Sequence, residues 1–373
     1  MTRHRIAWMP GDGIGHEVME AGRLVLESLD VDVEIVPADI GWEFWCSEGD
    51  ALPKRTLELL RTTKCAVLGA VTSKPSSEAQ RELRPELQGR GLVYESPIIR
   101  LRQLFELASN IRPCRTFPGV PTTTGKDIDI VVFRENTEGT YSGVEFFPVP
   151  EAVCAALDIS PKMARFRALG LDNIALTARI MSRQGCASIC RAAFEYAEKH
   201  SSKKVTLAEK PNVLRQTGGL MTRVFREVAA SYPDIPTEEA NIDALCMHLV
   251  MSPETFDVIV AENMFGDIIS DLCAGLTGGL GLASAANVGT DYAIFEPSHG
   301  SAPDIAGRGV ANPVATFLAI VQMLDWIGES SQASRLERAV ETLLRERRVG
   351  TFDMGLGNST LEVAQEMIQL CLN

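Results

Sequence analysis

The sequence predicts an α/β protein with a largely parallel sheet, and two patterns carry that reading. Short apolar runs recur at residues 6–9, 33–36, 66–68, 128–133, 204–208 and 258–261, with the length and composition of buried strands. Between them lie stretches with apolar residues at helical spacing, clearest at 18–29, 179–200, 221–231, 314–327 and 334–346. Strands that alternate with helices are joined by crossovers, and crossovers produce parallel pairing. Internal repeats and low-complexity segments are absent.

At 373 residues the chain is long for one core and fits two domains, or one large unit with an inserted lobe. Its 45% hydrophobic and 23% charged content is that of an ordinary globular protein. The longest apolar run, 314–324, is shorter than the roughly 20 residues of a membrane span. Met1 to Trp8 leads straight into a strand-like stretch and a glycine turn, which leaves no room for a signal peptide and points to the cytoplasm. The nine cysteines are odd in number and mostly inside apolar segments, so they are expected to be reduced, with Cys186 and Cys190 as small core residues. A net charge of −13 argues against a nucleic-acid partner. It would also repel an anionic substrate, so an acid could bind only where arginines overcome that field.

The turn Gly11-Asp12-Gly13-Ile14-Gly15-His16 follows a strand and precedes a helix, as a dinucleotide fingerprint does. His16 stands where that fingerprint needs its last glycine or alanine, so a tight strand-to-helix turn is the better reading. Asp267 and Asp271 are four residues apart and share a helix face. Such a pair suits a hard divalent cation, Mg2+ or Mn2+; two solvated aspartates, one at a helix N-terminus, are the alternative. Arg102, Arg112 and Arg134 belong to a cluster of basic residues suited to a polycarboxylate, because guanidinium pairs with carboxylate in a planar, bidentate way. Taken singly, each arginine reads more often as a surface residue. Tyr141 and Lys210 are candidates for proton transfer.

Some stretches lack a clear period. Residues 146–171 read as a lid, an arm reaching a partner subunit, or a surface insertion. Residues 73–92, long and polar, read as a lid or a solvated loop.

Seven ordered motifs together resemble the β-decarboxylating dehydrogenases, the family of isocitrate, homoisocitrate, 3-isopropylmalate and tartrate dehydrogenases. They are Gly11 to Gly15, Asn110-Ile111-Arg112-Pro113, Arg134 to Tyr141, Glu209-Lys210-Pro211-Asn212, Asn241-Ile242-Asp243, Glu262 to Asp271 and Glu296 to Gly307. The resemblance implies the two-domain fold of isocitrate and isopropylmalate dehydrogenases, with a large mixed sheet and no Rossmann fold. Residues 1–104 and 278–373 would form the large cofactor-side domain, and 105–277 a small domain with the dimer interface and an arm at about 146–171. It implies that Ser96, Arg102, Arg112 and Arg134 bind substrate, and that Asp267 and Asp271 hold the metal with Asp243 of a second subunit in a homodimer. Lys210, also given across the interface, would take the hydroxyl proton, and Tyr141 would protonate the enol. The cofactor would lie against Thr72, Glu296, His299, Gly300, Ala302, Asp304, Ile305 and Asn312. NADP users resemble one another in a lysine and a tyrosine where this chain has Asp304 and Ile305, so NAD is expected.

The segment from Arg134 to Gly143 resembles isocitrate and homoisocitrate enzymes, and isocitrate is the leading substrate. Ile98 departs from the asparagine usual in isocitrate enzymes, which keeps homoisocitrate close and leaves tartrate and 3-isopropylmalate behind it. A non-catalytic regulatory subunit is the alternative of another kind. Such a subunit should lack one of Tyr141, Lys210, Asp243, Asp267 or Asp271, and all are present.

Overall fold

The computed structural model describes residues 3–200 and 203–372; Met1 and Thr2, used above in reading the N-terminus, lie outside them. The strands are β1 (His4–Gly11), β2 (Val33–Pro37), β3 (Cys65–Ala70), β4 (Ser109–Arg115), β5 (Asp129–Glu135), β6 (Glu145–Phe146), β7 (Leu176–Thr177), β8 (Val205–Glu209), β9 (Thr237–Asn241), β10 (Val258–Ala261), β11 (Ser284–Val288) and β12 (Ala293–Pro297). Ten of them form one sheet in the order β2-β1-β3-β12-β11-β4-β5-β10-β8-β9.

The sheet is mixed, as the family resemblance implied, and most of its strand pairs are parallel, as the alternation of strands and helices implied. Both flanks are parallel, but β12, β11, β4 and β5 run antiparallel to one another through the centre. Periodicity missed four strands, three of them, β4, β11 and β12, in the antiparallel centre and the fourth, β9, at the edge. β4 carries Asn110, Arg112 and Pro113, β9 reads Thr-Glu-Glu-Ala-Asn, and β11 and β12 hold Asn287 and Glu296 among small or apolar residues. Pro113 is tolerated because β11 pairs only with Ser109 to Ile111, leaving the rest of β4 with β5 as its one partner strand.

Apolar clusters on both faces hold the sheet, with residues of β1, β3 and β12 packed on Leu60, Leu101 and Leu107 on one side and the longer helices building the rest. Helices Gly15–Ser28, Val314–Trp326, Ser330–Glu346 and Thr360–Leu372 pack together against the β1, β3 and β12 region. Helices Arg183–Lys199 and Thr217–Ala229 cover one face of β5, β10 and β8. Helices Ile242–Met251 and Asn263–Thr277 cover the other. Each fully buried Leu, Ile, Val, Met or Phe in these layers contributes about 1.5–3 kcal/mol. The helix expected from 179 begins at Arg183, because Ser182 stays extended and its side chain accepts from Gly185 N.

Residues 146–171 sit within a two-stranded ribbon, β6 against β7, which encloses the short helix Glu151–Leu157 and leaves Phe147 and Ile159 exposed. Residues 73–92 are part helix and part loop, the loop at 83–92 being mostly exposed as a solvated loop would be. Helix Ser76–Glu82 buries Ala79 against Trp42 and Trp45, and both indole nitrogens bond to it, Trp42 Nε1 to Glu82 at 2.6 Å and Trp45 Nε1 to the Ala79 carbonyl at 2.9 Å. Among the described residues no helix is long and apolar enough to cross a membrane.

Candidate active site

Three arginines from three elements meet in one cavity of about 280 Å3. Arg134 ends β5, Arg112 lies on β4, and Arg102 is in helix Pro97–Leu104. All three are buried. Burial first, then repulsion from Arg102 and Arg112, lowers the pKa of Arg134, which is the electrostatic condition for capturing an anion.

Helix Asn263–Thr277 meets them with its carboxylates. It starts where Glu262 caps Phe265 N at 2.9 Å, a geometry that aims its first turns at the arginines. Arg134 pairs closely with Asp267 and donates to Asn263 Oδ1 at 2.7 and 3.0 Å. Arg112 reaches Asp267 at 3.3 Å and Asp271 at 3.1 Å. Tyr141 donates to Asp267 Oδ2 at 2.7 Å. Burial works against ionised Asp267, but Arg134 and Arg112 outweigh it and hold its pKa below the usual value. Asp271 is raised, chiefly by burial. Burial and then the bond to Asp267 raise Tyr141, so its hydroxyl keeps its proton.

Ser96 lines the same cavity just before helix Pro97–Leu104, and its hydroxyl caps nothing. Ile98 and Ile99 form the wall next to it. Glu296, His299 and Gly300 line the cofactor side. Glu296 is engaged by Asn287 Nδ2 at 2.8 Å and Arg102 at 3.4 Å. His299 Nδ1 is bonded locally to the Gly300 carbonyl at 3.0 Å, while His299 Nε2 and Ser298 Oγ are buried without partners. Burial lowers the His299 pKa, keeping the ring neutral. Two orphaned polar atoms on the cavity rim fit a polar ligand such as a dinucleotide.

The glycine turn supports this loop from beneath. Ile14 N donates to the Ser301 carbonyl at 2.9 Å, and Thr72 Oγ1 bonds Ser301 Oγ at 2.6 Å. Asp12 accepts backbone N–H bonds from Trp42, Glu43 and Thr72. Ala302 takes a positive φ of 37°, Asp304 is exposed, and Ile305 packs partly on the core. Asn312 is not in the arginine cavity. It lines a separate one of about 350 Å3, where it donates to Asp353 at 2.9 Å.

Lys210 and Asp243 are also elsewhere. They form an ion pair with each other, and Asp243 is 67% exposed at the start of helix Ile242–Met251. Accordingly, no group of three His, Cys, Asp or Glu residues that could hold a metal comes together among the described residues of one chain. Asp267 and Asp271 supply two hard oxygen donors, which suits Mg2+ or Mn2+ if a further carboxylate comes from outside the chain.

The residue that sequence reasoning missed is Asn287. Its Oδ1 accepts from Asn110 Nδ2 at 2.7 Å, Asn136 Nδ2 at 2.9 Å and Arg102 Nε at 3.1 Å. The available signal was one amide in the small apolar run Ser284-Ala285-Ala286-Asn287-Val288, a residue type that is rarely buried without partners.

The buried arginine–aspartate–tyrosine pocket on a ten-stranded mixed sheet can hold a small anionic ligand, and comparison with known proteins says which family builds it. Residues 5–370 match the isocitrate/isopropylmalate dehydrogenase family. The chain is 41% identical over 366 residues to the 3-isopropylmalate dehydrogenase of Archaeoglobus fulgidus, covering 98% of this chain and 99% of that one. It is 39% identical over 365 residues to the isocitrate/homoisocitrate dehydrogenase of Thermus thermophilus, covering 98% and 97%. A 42% identical relative, protein DlpA of Legionella pneumophila, is matched over 98% of this chain, which spans only 58% of that protein's length. The crystal structure of isocitrate dehydrogenase from Methylococcus capsulatus superposes with a TM-score of 0.86 at 37% identity, covering 99% of this chain and all of that one. The chain belongs to the isocitrate/isopropylmalate dehydrogenase family.

Proposed function

We propose that this chain catalyses the NAD-dependent oxidative decarboxylation of a 2-hydroxy di- or tricarboxylic acid, with isocitrate converted to 2-oxoglutarate and CO2 as the leading reaction. The observation that carries the proposal is the convergence of Arg102, Arg112 and Arg134 with Tyr141 and Asp267 in one cavity. The arginines bind and orient the malate-like carboxylates. Lys210 of a second subunit takes the hydroxyl proton, and Tyr141, held protonated, returns one to the enol left after CO2 departs. Asp267 and Asp271, with Asp243 from the second subunit, would hold Mg2+ or Mn2+, which when bound polarises the hydroxyl and carbonyl oxygens as a Lewis acid.

Sharing of the site in a homodimer is supported by the outward presentation of Asp243 and by the exposure of Met247, Val250 and Met251 on the same helix. On this reading residues 1–104 and 278–373 form the cofactor-side domain and 105–277 the other. NAD would lie along His299 to Ile305 and extend toward Asn312, with the exposed Asp304 accepting from ribose hydroxyls and repelling a 2′-phosphate.

A second reading, a 3-alkylmalate such as 3-isopropylmalate, rests on Ile98 and Ile99, which offer an apolar wall beside Ser96 to the substituent at C3. Initial rates with isocitrate, homoisocitrate, tartrate and 3-isopropylmalate, with NAD and NADP and with and without EDTA, test the proposal. Isocitrate should give the highest kcat/KM, and 3-isopropylmalate the highest if the isoleucine wall decides. No reduced cofactor from the purified chain with Mn2+ and any of these acids would overturn catalysis and favour the regulatory subunit.

A further inference from the structure

A further cavity, of about 420 Å3, lies on the face of the sheet opposite the arginines and is built on the same strands. Along β4, Asn110 and Arg112 join the arginine network, whereas Ile111 and Pro113 line the rear cavity. Along β11 and β12, Asn287 and Glu296 face forward, whereas Ala286, Val288 and Phe295 face back. Strand side chains alternate between faces. Ile111, Ala286 and Phe295 are register partners on three neighbouring strands, so they form a continuous apolar floor. Helix Arg183–Lys199 supplies one wall, and helices Val314–Trp326 and Ser330–Glu346 the other. Clefts of this size between lobes are where small-molecule sites concentrate.

The polar groups of the two walls are charged oppositely and only partly satisfied. Lys199 has no hydrogen-bond or ion-pair partner among the described residues. Beside it, the His200 ring stacks on Tyr196 with centroids 3.9 Å apart and uses Nδ1 on the Tyr196 carbonyl at 2.8 Å, which leaves Nε2 open. On the facing wall one oxygen of Asp325 takes the Ser330 hydroxyl at 2.6 Å and the other is unbonded. Gln322 Oε1 is buried without a donor. Glu337 is occupied by Arg115 at 2.9 Å.

We propose that this rear cavity binds a free α-amino acid with an apolar side chain, and that its occupancy is felt at the arginine pocket. The carboxylate pairs with Lys199, the ammonium with Asp325 and Gln322 Oε1, and the side chain lies on Ile111, Val288 and Phe295. A dicarboxylate would meet the charge of Asp325, and a hydrocarbon would leave both walls unmet, so a zwitterion is the class that fits. The coupling follows from the shared strands, since Ile111 and Ala286 are chain neighbours of Arg112 and Asn287.

Isothermal titration calorimetry of the purified chain, without substrate, tests the site with leucine and phenylalanine as probes. Saturable binding is expected, weaker by about tenfold or more for the 2-oxo acid that lacks the amine and for the amine that lacks the carboxylate. Lys199→Glu and the rim substitution Ser334→Trp, both at exposed positions, should each weaken it by about tenfold or more while leaving the circular dichroism spectrum unchanged. No saturable binding, or binding that neither substitution weakens, would overturn the site. At saturation the amino acid should shift the substrate KM by about threefold or more, and an unchanged KM would overturn the coupling. The titration requires no turnover, so its failure is separate from a failure of the proposed reaction.

Discussion

Gly266 lies directly under Arg134: a Cβ added at 266 would stand 2.7 Å from Arg134 Cβ. The missing side chain lets the arginine lie across the helix and reach both Asn263 and Asp267. In an exposed helix interior, Gly→Ala would stabilise by roughly 0.5–1 kcal/mol. Here Gly266→Ala is expected to displace the guanidinium by a substantial fraction of an ångström and lower kcat/KM about 100-fold, the cost typical of a misplaced positioning group. Steady-state kinetics together with a urea melt measure both effects.

Gly13 joins the glycine turn to the cofactor loop. Its φ is +55°, and a Cβ there would stand 2.1 Å from the Ser301 carbonyl oxygen. Gly13→Ala should therefore destabilise the fold by about 2 kcal/mol or more and raise the KM for the cofactor above that for the acid. A calorimetric melt checks the first effect, and paired KM measurements the second.

Asn287→Ala would leave Asn110, Asn136 and Arg102 without their common acceptor. Each buried donor so abandoned costs about 1–3 kcal/mol. The loss of Arg102 restraint should raise the substrate KM about tenfold, with a smaller fall in kcat. A KM that stays at its parent value would show that Arg102 is positioned without Asn287.

Asp304→Lys should lower the preference for NAD over NADP by about tenfold or more without loss of folding, since the side chain is exposed. An unchanged ratio of the two kcat/KM values would remove Asp304 from cofactor selection.

Lys210 and Tyr141 belong to different active-site halves in the shared-site reading. Lys210→Met and Tyr141→Phe chains should each be nearly inactive alone. When they are refolded together, half the dimers would be mixed and one of the two sites in each would be whole, so about a quarter of parent activity should return. No recovery, in a sample shown by native mass spectrometry to contain mixed dimers, would place both residues in one chain's site.

Much of the fold was legible because buried strands and amphipathic helices write their period into the chain. β3 and β10 are buried throughout and read at once as strands. β4, β9, β11 and β12 did not, because they carry site residues or edge charges instead of a clean apolar period. Asp267 and Asp271 were placed correctly on one helix, since four residues return to the same side.

By itself, the sequence determined the kinds of chemistry available: guanidinium for carboxylate, paired aspartates for a hard cation, and a tyrosine and a lysine for protons. It also excluded the fingerprint reading of the glycine turn, through His16. Only the tertiary structure decided which of these groups meet. It joined Arg102, Arg112 and Arg134 around Asp267, put Asn287 against Arg102, and left Lys210 and Asp243 facing outward. The physical reason is that periodicity records what each residue's own element buries, whereas a site forms between side chains far apart in sequence, where the antiparallel centre of the sheet brings β4, β5 and β11 side by side.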